Sequence, residues 1–455
     1  RALALNMPIL FVYCNDPRLY KSLTPGFVKT GMLRVKFLYE SLRDLREQLI
    51  ERGSNLLYLD GEPENLLPKL ASQYNVKHLI YQKEVTSEET YVENALRQHL
   101  ATVNDAITIT EVWGLTLFHR DDLPFSPKET PLTTKAFRMQ VTKNTSVREC
   151  FPTPESLPAP DTTIEWGEIP SITDGIINTH DHVTQFTGGE REGLKRLNFY
   201  TFRTEQLTEY RWTRNRSKGM DYSSKFSPWM AVGCLSPRLI YWEVKRYEQE
   251  IKKNASTWWL VFEIVWRDYF KFLAMRFGNR IFYSGGYKDR ETDWKYDIEL
   301  FNRWKTGQTG IPFVDAHMRE MNETGFMSNR GRVNCASFLT RDYQIDWRWG
   351  AAWFENRLLD YDVTSNWLNW NVQATEIWYT NPVHQGMKYD KKGDYVRNWL
   401  PEIADLPPAI IHAPWLAKEY KAIRMANGDY PEPVTIYKKW VRSINNIRKA
   451  YESKL

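Results

Sequence analysis

Along the first 112 residues, short apolar runs alternate with longer amphipathic stretches. Residues 8–14 (PILFVYC), 55–60 (NLLYLD), 77–82 (KHLIYQ) and 106–112 (AITITEV) have the length and apolar or β-branched content of buried strands. Residues 33–52, 62–73 and 87–102 between them have helical spacing, and Gly53 stops the first. This alternation predicts an α/β domain with a doubly wound parallel sheet. No GxGxxG or GxxxxGK[ST] pattern is present, so the ordinary dinucleotide and P-loop readings lack support.

Residues 124–131 and 151–170 are rich in Pro, Ser and Thr and read as a long surface connection. From Gly188 onward the pattern turns helical, as in residues 188–202 and 239–253, and no strong strand signal returns. The predicted organisation is an α/β domain over 1–122, a linker over 123–187 and an all-α domain over 188–455. Low-complexity segments and internal repeats are absent from the sequence.

A length of 455 residues is too great for one ordinary core, in keeping with two domains. No apolar run reaches membrane-spanning length, and RALALNMPILFVYC lacks the pattern of a signal peptide. Cys14, Cys150, Cys234 and Cys335 are far apart, without CxxC or clustered His. This argues against zinc and a disulfide framework, and fits a reducing compartment such as cytoplasm, nucleus or an organelle. The net charge of +5 permits an anionic partner without requiring one. The unusual number is 19 Trp, most of them after residue 210, more than structural cores ordinarily need.

Four stretches carry candidate chemistry. Residues 360–370 (DYDVTSNWLNW) place Asp360 and Asp362 before a Thr-Ser-Asn cluster suited to a helix start, with Asn366 and Trp370 on one face. Acids, amide and indole together suit a flat polar heterocycle; the alternative is a helix start with core tryptophans. Residues 221–229 (DYSSKFSPW) set Ser223, Ser224 and Ser227 around Lys225 and Phe226, which suits a phosphate cradle or a capped helix with an exposed lysine. Residues 257–273 (TWWLVFEIVWRDYFKFL) are nearly all apolar, yet hold Glu263, Arg267 and Asp268. Glu263 has the spacing to pair with Arg267 and to share a face with Trp266, and its apolar setting suits a raised pKa and proton donation. Residues 324–350 carry Asn329, Arg330 and Arg332, with Arg332 able to pair with Asp360.

The helical half closely resembles the photolyase/cryptochrome family, and TGFMSNRGR with NCASFL resembles its DASH-type branch. The resemblance extends over essentially the whole chain, since the family also has an α/β N-terminal half. It implies a U-shaped FAD in the helical domain. Tyr210 and the run Ser223, Ser224, Lys225, Phe226 and Ser227 would hold its phosphates. Asp360 and Asp362, with Arg332 and Arg267 nearby, would contact its ribose and isoalloxazine, and Asn366 would face its reactive central-ring nitrogen. Glu263, Trp266 and Asn329 match positions that contact a cyclobutane pyrimidine dimer, and Arg214, Arg330 and Gln385 match phosphate contacts. Trp370, Trp347 and Trp294 match the proximal, middle and outer members of the family's electron relay. Glu84, after the third strand, matches a contact to the pterin of a methenyltetrahydrofolate antenna; the alternative is a solvated loop glutamate.

The sequence departs from the DASH pattern at Val333 (usually Gln) and Val372 (usually aromatic). It is shorter over residues 373–381, and the family's arginine-rich first strand does not precede Arg1. These departures bear on lesion contacts more than on flavin binding. The implied function is blue-light repair of cyclobutane pyrimidine dimers in single-stranded DNA by a monomer. A signalling photoreceptor and an RNA-binding protein whose aromatics stack bases are the alternatives.

Overall fold

The computed structural model describes residues 1–104, 106–172, 185–376, 379–420 and 429–453. Residues 173–184 of the linker, and 377–378 within the stretch noted as short, lie outside the described residues.

The N-terminal domain follows the predicted alternation. The strands of that alternation are β1 (Phe11–Asn15), β2 (Leu56–Asp60), β3 (His78–Gln82) and β4 (Thr108–Val112). Its helices are α1 (Met32–Glu51), α2 (Pro63–Gln73) and α3 (Ser87–Val103). All pairing among these strands is parallel, as runs too apolar for a wetted face require. The pairing forms two ladders: β1 on β2 from Phe11↔Leu56 to Asn15↔Asp60, and β3 on β4 from His78↔Thr108 to Gln82↔Val112. Residues 8–10, included in the first predicted strand, precede the ladder.

The connection is not purely superficial. Within it α4 (Thr134–Asn144) buries Phe137 and Val141, four residues apart and so on one face, with Phe137 against Tyr269 and Phe272 of the helical domain. Pro- and Ser-rich composition marked the ends of this segment and hid the helix between them.

Beyond Gly188 the described residues contain helices and one isolated bridge, Lys295↔Ile345, but no further strand. The helices that build the site are α5 (Ala255–Phe277), α6 (Pro312–Thr324), α7 (Asn329–Ser337), α8 (Trp347–Arg357) and α9 (Val363–Asn371). Asn254 starts α5 with a capping box: its side chain accepts from Ser256 and Thr257, and the Thr257 hydroxyl accepts from its backbone N–H. Asp362 starts α9, accepting from the Ser365 N–H at 2.8 Å. None of the described helices is long and apolar enough to cross a membrane.

The two domains are tied beside the acid pair. Arg34 of α1 donates to the Glu355 carbonyl at 2.7 Å and stacks on Tyr361, the residue between Asp360 and Asp362. The Asn356 amide donates to the Val28 carbonyl at 2.6 Å, and its own carbonyl accepts from the Gly31 N–H at 2.9 Å.

Candidate cofactor and substrate site

Asp360 lies in the loop from α8 to α9, with its side chain only 5% exposed. Arg332 Nη2 donates to both its oxygens, at 3.0 and 2.8 Å, and the Ser227 hydroxyl donates to Oδ2 at 2.7 Å. Three separated stretches thus meet at one carboxylate. Arg332 is fixed in turn by its Nε bond to the Met327 carbonyl at 2.9 Å.

Asp362 faces a different set of cations. Lys271 Nζ lies 3.0 Å away and Arg267 Nη2 3.9 Å away, both on α5, and the Thr364 hydroxyl donates at 2.8 Å. Burial pushes this carboxyl up, but Lys271, Arg267 and the bonds from Ser365 and Thr364 outweigh it and hold it well below the usual carboxylate range. These partners favour the ionised form of Asp362. Lys271 also reaches Glu84 of the N-terminal domain at 3.8 Å. Burial raises the Glu84 carboxyl and Lys271 opposes the rise, so this is not the fully solvated loop glutamate of the alternative reading.

Lys271 escaped the sequence reading, although it is only 1% exposed. The signal was present: a lysine inside an apolar helix needs a carboxylate partner, because an unpaired buried charge is prohibitively costly.

The SSKFS run curls beneath this region. Arg196 donates to the carbonyls of Ser223 and Ser224 at 3.0 and 2.9 Å. The expectation of an exposed Lys225 does not hold. Lys225 has φ +59°, is buried, bonds the Tyr222 hydroxyl at 2.6 Å and lies over the Tyr222 and Phe326 rings. Burial drives its ammonium down to about 7. Phe226 packs edge-on to Tyr200, as does the buried Tyr210. The Asn366 amide donates to the Ala351 carbonyl at 3.0 Å, which fixes its orientation on α9. In the first turn of α9, the Ser365 hydroxyl is buried without a hydrogen-bond partner. Such an orphan beside an ionised acid, an acid–arginine pair and a serine run fits a polar ligand lodged among them.

The i,i+4 pair of Glu263 with Arg267 does not form. Arg267 turns to the Leu115 carbonyl and Asp362, while Glu263 Oε1 takes Arg214 at 2.7 Å and the Trp259 indole N–H at 2.9 Å. Asp268 turns to the segment that follows β4, accepting from the Leu117 and Phe118 N–H groups at 2.9 Å each. Burial raises the Glu263 carboxyl, against Arg214 and the indole bond. Trp266 is half-buried between Phe262 and Phe270. Asn329 is exposed at the start of α7, which Ser328 caps by accepting from the Gly331 N–H. Arg330 stacks on Tyr389 and donates to Asn215 at 3.2 Å, and Asn334 joins the Arg330 carbonyl to Gln385.

Trp370 is buried edge-on to Phe354 and Trp304; a Cβ on Gly350 would come within 2.3 Å of its ring. Trp347 and Trp294 both donate to the Ser284 carbonyl, at 2.9 and 3.2 Å, which holds these two indoles side by side. Trp294 is itself 7% exposed, more covered than an outermost relay member was expected to be. Trp367, which the sequence reading did not select, lies edge-on to Trp347 with ring centroids 5.6 Å apart.

Comparison with known proteins matches these regions. Residues 1–161 match the family described as DNA photolyase, and residues 259–450 match the FAD binding domain of DNA photolyase. A protein named cryptochrome DASH from Gloeobacter violaceus is 46% identical over 446 residues, covering 95% of this chain and 89% of that protein. A cryptochrome DASH from Synechocystis sp. is 46% identical over 461 residues, covering 99% and 94%. The crystal structure of a Synechocystis sp. PCC6803 cryptochrome superposes with a TM-score of 0.91 at 45% identity, covering 99% of this chain and 94% of that one. A class III photolyase from Agrobacterium tumefaciens superposes at 0.83 with 26% identity, covering 98% and 94%. The chain therefore belongs to the photolyase/cryptochrome family, in its DASH branch, and carries that family's FAD-binding domain.

Proposed function

We propose that this FAD-dependent, photolyase-like protein repairs cyclobutane pyrimidine dimers in single-stranded DNA under blue light. One observation carries the reading: α5 joins the two halves of the site. Arg267 and Lys271 of α5 face Asp362, and Glu263 lies one turn before Arg267. One helical turn is about 5.4 Å, so the same rigid rod holds a flavin-side cation and a lesion-side carboxyl at close range.

FAD supplies light absorption and one-electron donation when bound. Tyr210, Ser223, Ser224, Ser227, Arg332, Asp360, Asp362 and Asn366 would hold it, with Arg267 and Lys271 keeping Asp362 ionised. Lys225 and Phe226 would shape the serine run from beneath. Glu263 and Trp266 would take the extruded dimer with Asn329, the indole as a stacking face and Glu263 as a hydrogen-bond partner of a carbonyl. Burial shifts its carboxyl toward the protonated form, against Arg214 and the indole bond, and that form would donate where negative charge develops. Arg214, Arg330 and Gln385 would hold phosphates, which positions the strand without reading bases. Extruding a base costs a few kcal/mol in a duplex and least in a single strand; photolyases are among the standard examples. Glu84, tied to Asp362 through Lys271, would bind an antenna folate at the domain junction.

Glu263→Ala should lower dimer repair per absorbed photon while the purified variant keeps its flavin absorbance. Undiminished repair would remove Glu263 from the role. A signalling photoreceptor is the second reading, favoured by Val333 and Val372 where lesion-contacting residues are usual in the branch.

A further inference from the structure

The lesion-side carboxyl is the inner end of a longer strip of alternating indole and guanidinium. Trp259 bonds Glu263 at 2.9 Å and lies under both Arg214 and Arg211, at 4.8 and 5.3 Å. Arg211 also stacks on Trp212, at 4.8 Å. A second arm runs along α5: Trp266 meets Phe262 edge-on at 5.8 Å, Phe262 stacks on Trp258 at 5.3 Å and 13°, and Arg138 of α4 covers both. The outer ends are open to solvent, with Trp212 67% and Trp258 49% exposed.

An indole so exposed adds nothing to a core, and two beside one site form an unusual surface. Residues 211–218 (RWTRNRSK) carry four cations and no acid, and Lys252 and Lys253 are exposed just before α5. Among the described residues, neither Arg211 nor Arg138 takes part in an ion pair, so each keeps guanidinium N–H groups for an outside anion. Rings for bases and unpaired guanidiniums for phosphates are the two parts of a single-strand site. A duplex keeps its bases stacked inward and offers only the phosphates.

We infer that Trp212 and Trp258, with Arg211 and Arg138, form a stacking platform for unpaired DNA bases flanking the lesion position. The platform extends the proposed repair reading, but its test needs neither light nor a lesion. Fluorescence anisotropy in the dark would measure binding of the flavin-loaded protein to an undamaged oligothymidylate and to a matched duplex. Trp212→Ala with Trp258→Ala should weaken single-strand binding about tenfold, with duplex binding changed less than about twofold. The double Tyr variant, which keeps two aromatic faces, should recover most of the loss. Arg211→Gln should lower the slope of log affinity against log salt by about 1. Unchanged single-strand affinity in the double Ala variant, or an equal loss for duplex, would overturn the platform. Should the double Ala variant lose its flavin, the Arg211→Gln slope decides alone, and an unchanged slope would likewise overturn it. Because the DNA is undamaged, absent repair would leave the platform standing while sinking the repair reading.

Discussion

Asp360 shows how one side chain can tie distant stretches together. It takes Arg332 through both oxygens and the Ser227 hydroxyl besides. Asp360→Ala leaves a largely buried guanidinium without its anion, a loss of about 3–5 kcal/mol where one partner of a buried pair is removed. The variant should purify with much less FAD, read as the ratio of flavin to protein absorbance; full occupancy would show that the pair does not serve the cofactor. Glu263 gives a pH prediction. Burial raises its carboxyl above the ordinary glutamate value, so its protonated fraction is highest on the acid side and falls as pH rises through that raised value. Repair per photon should decline over that rise in the wild type and stay flat in Glu263→Gln, which has no proton to lose; parallel profiles would exclude Glu263 as the titrating group. The Asp360–Arg332 pairing was legible in the sequence because both residues sit in polar clusters. The partner of Glu263 was not: local spacing pointed to Arg267, while the fold brought Arg214 from a separate segment and gave Arg267 to Asp362.

At the scale of elements, hydrophobic period fixed the strands and helices of the first domain to within a few residues, because burial of one face imposes that period. It said nothing of which strands pair, and the two parallel ladders became visible only in three dimensions. Helix α5 is the element on which the site turns. Its capping box sets its start, and its apolar face anchors it in the core while Glu263, Arg267 and Lys271 project to the site. Helix α9 presents Asn366 and Trp370 from one face, as their spacing required. Trp370→Phe keeps an aromatic ring in a tight enclosure, at the loss of one ring of the indole, and is far harder to oxidise. Photoreduction of the flavin in the presence of a chemical reductant, followed by absorbance, should slow strongly. An unchanged rate would assign the path to other residues, with Trp304 and Trp367 the nearest candidates.

For the whole molecule, the junction between domains lies against the acid pair. Arg34 stacks on Tyr361, and Glu84 shares Lys271 with Asp362, so the α/β domain contributes directly to the charge around the site. Glu84→Gln keeps hydrogen bonding but removes one anion from Lys271. If Glu84 holds an antenna folate, the near-ultraviolet folate band of the reconstituted protein should shrink while the flavin bands persist; an unchanged band would free Glu84 from that role. The activity proposed is light-driven repair of single strands. The direct measurement is loss of dimers under blue light in matched single- and double-stranded oligonucleotides, with the flavin verified as reduced. Rapid loss in the single strand with slow loss in the duplex is the predicted result. No loss in either would contradict repair and favour the photoreceptor, and equal loss in both would contradict the preference for single strands.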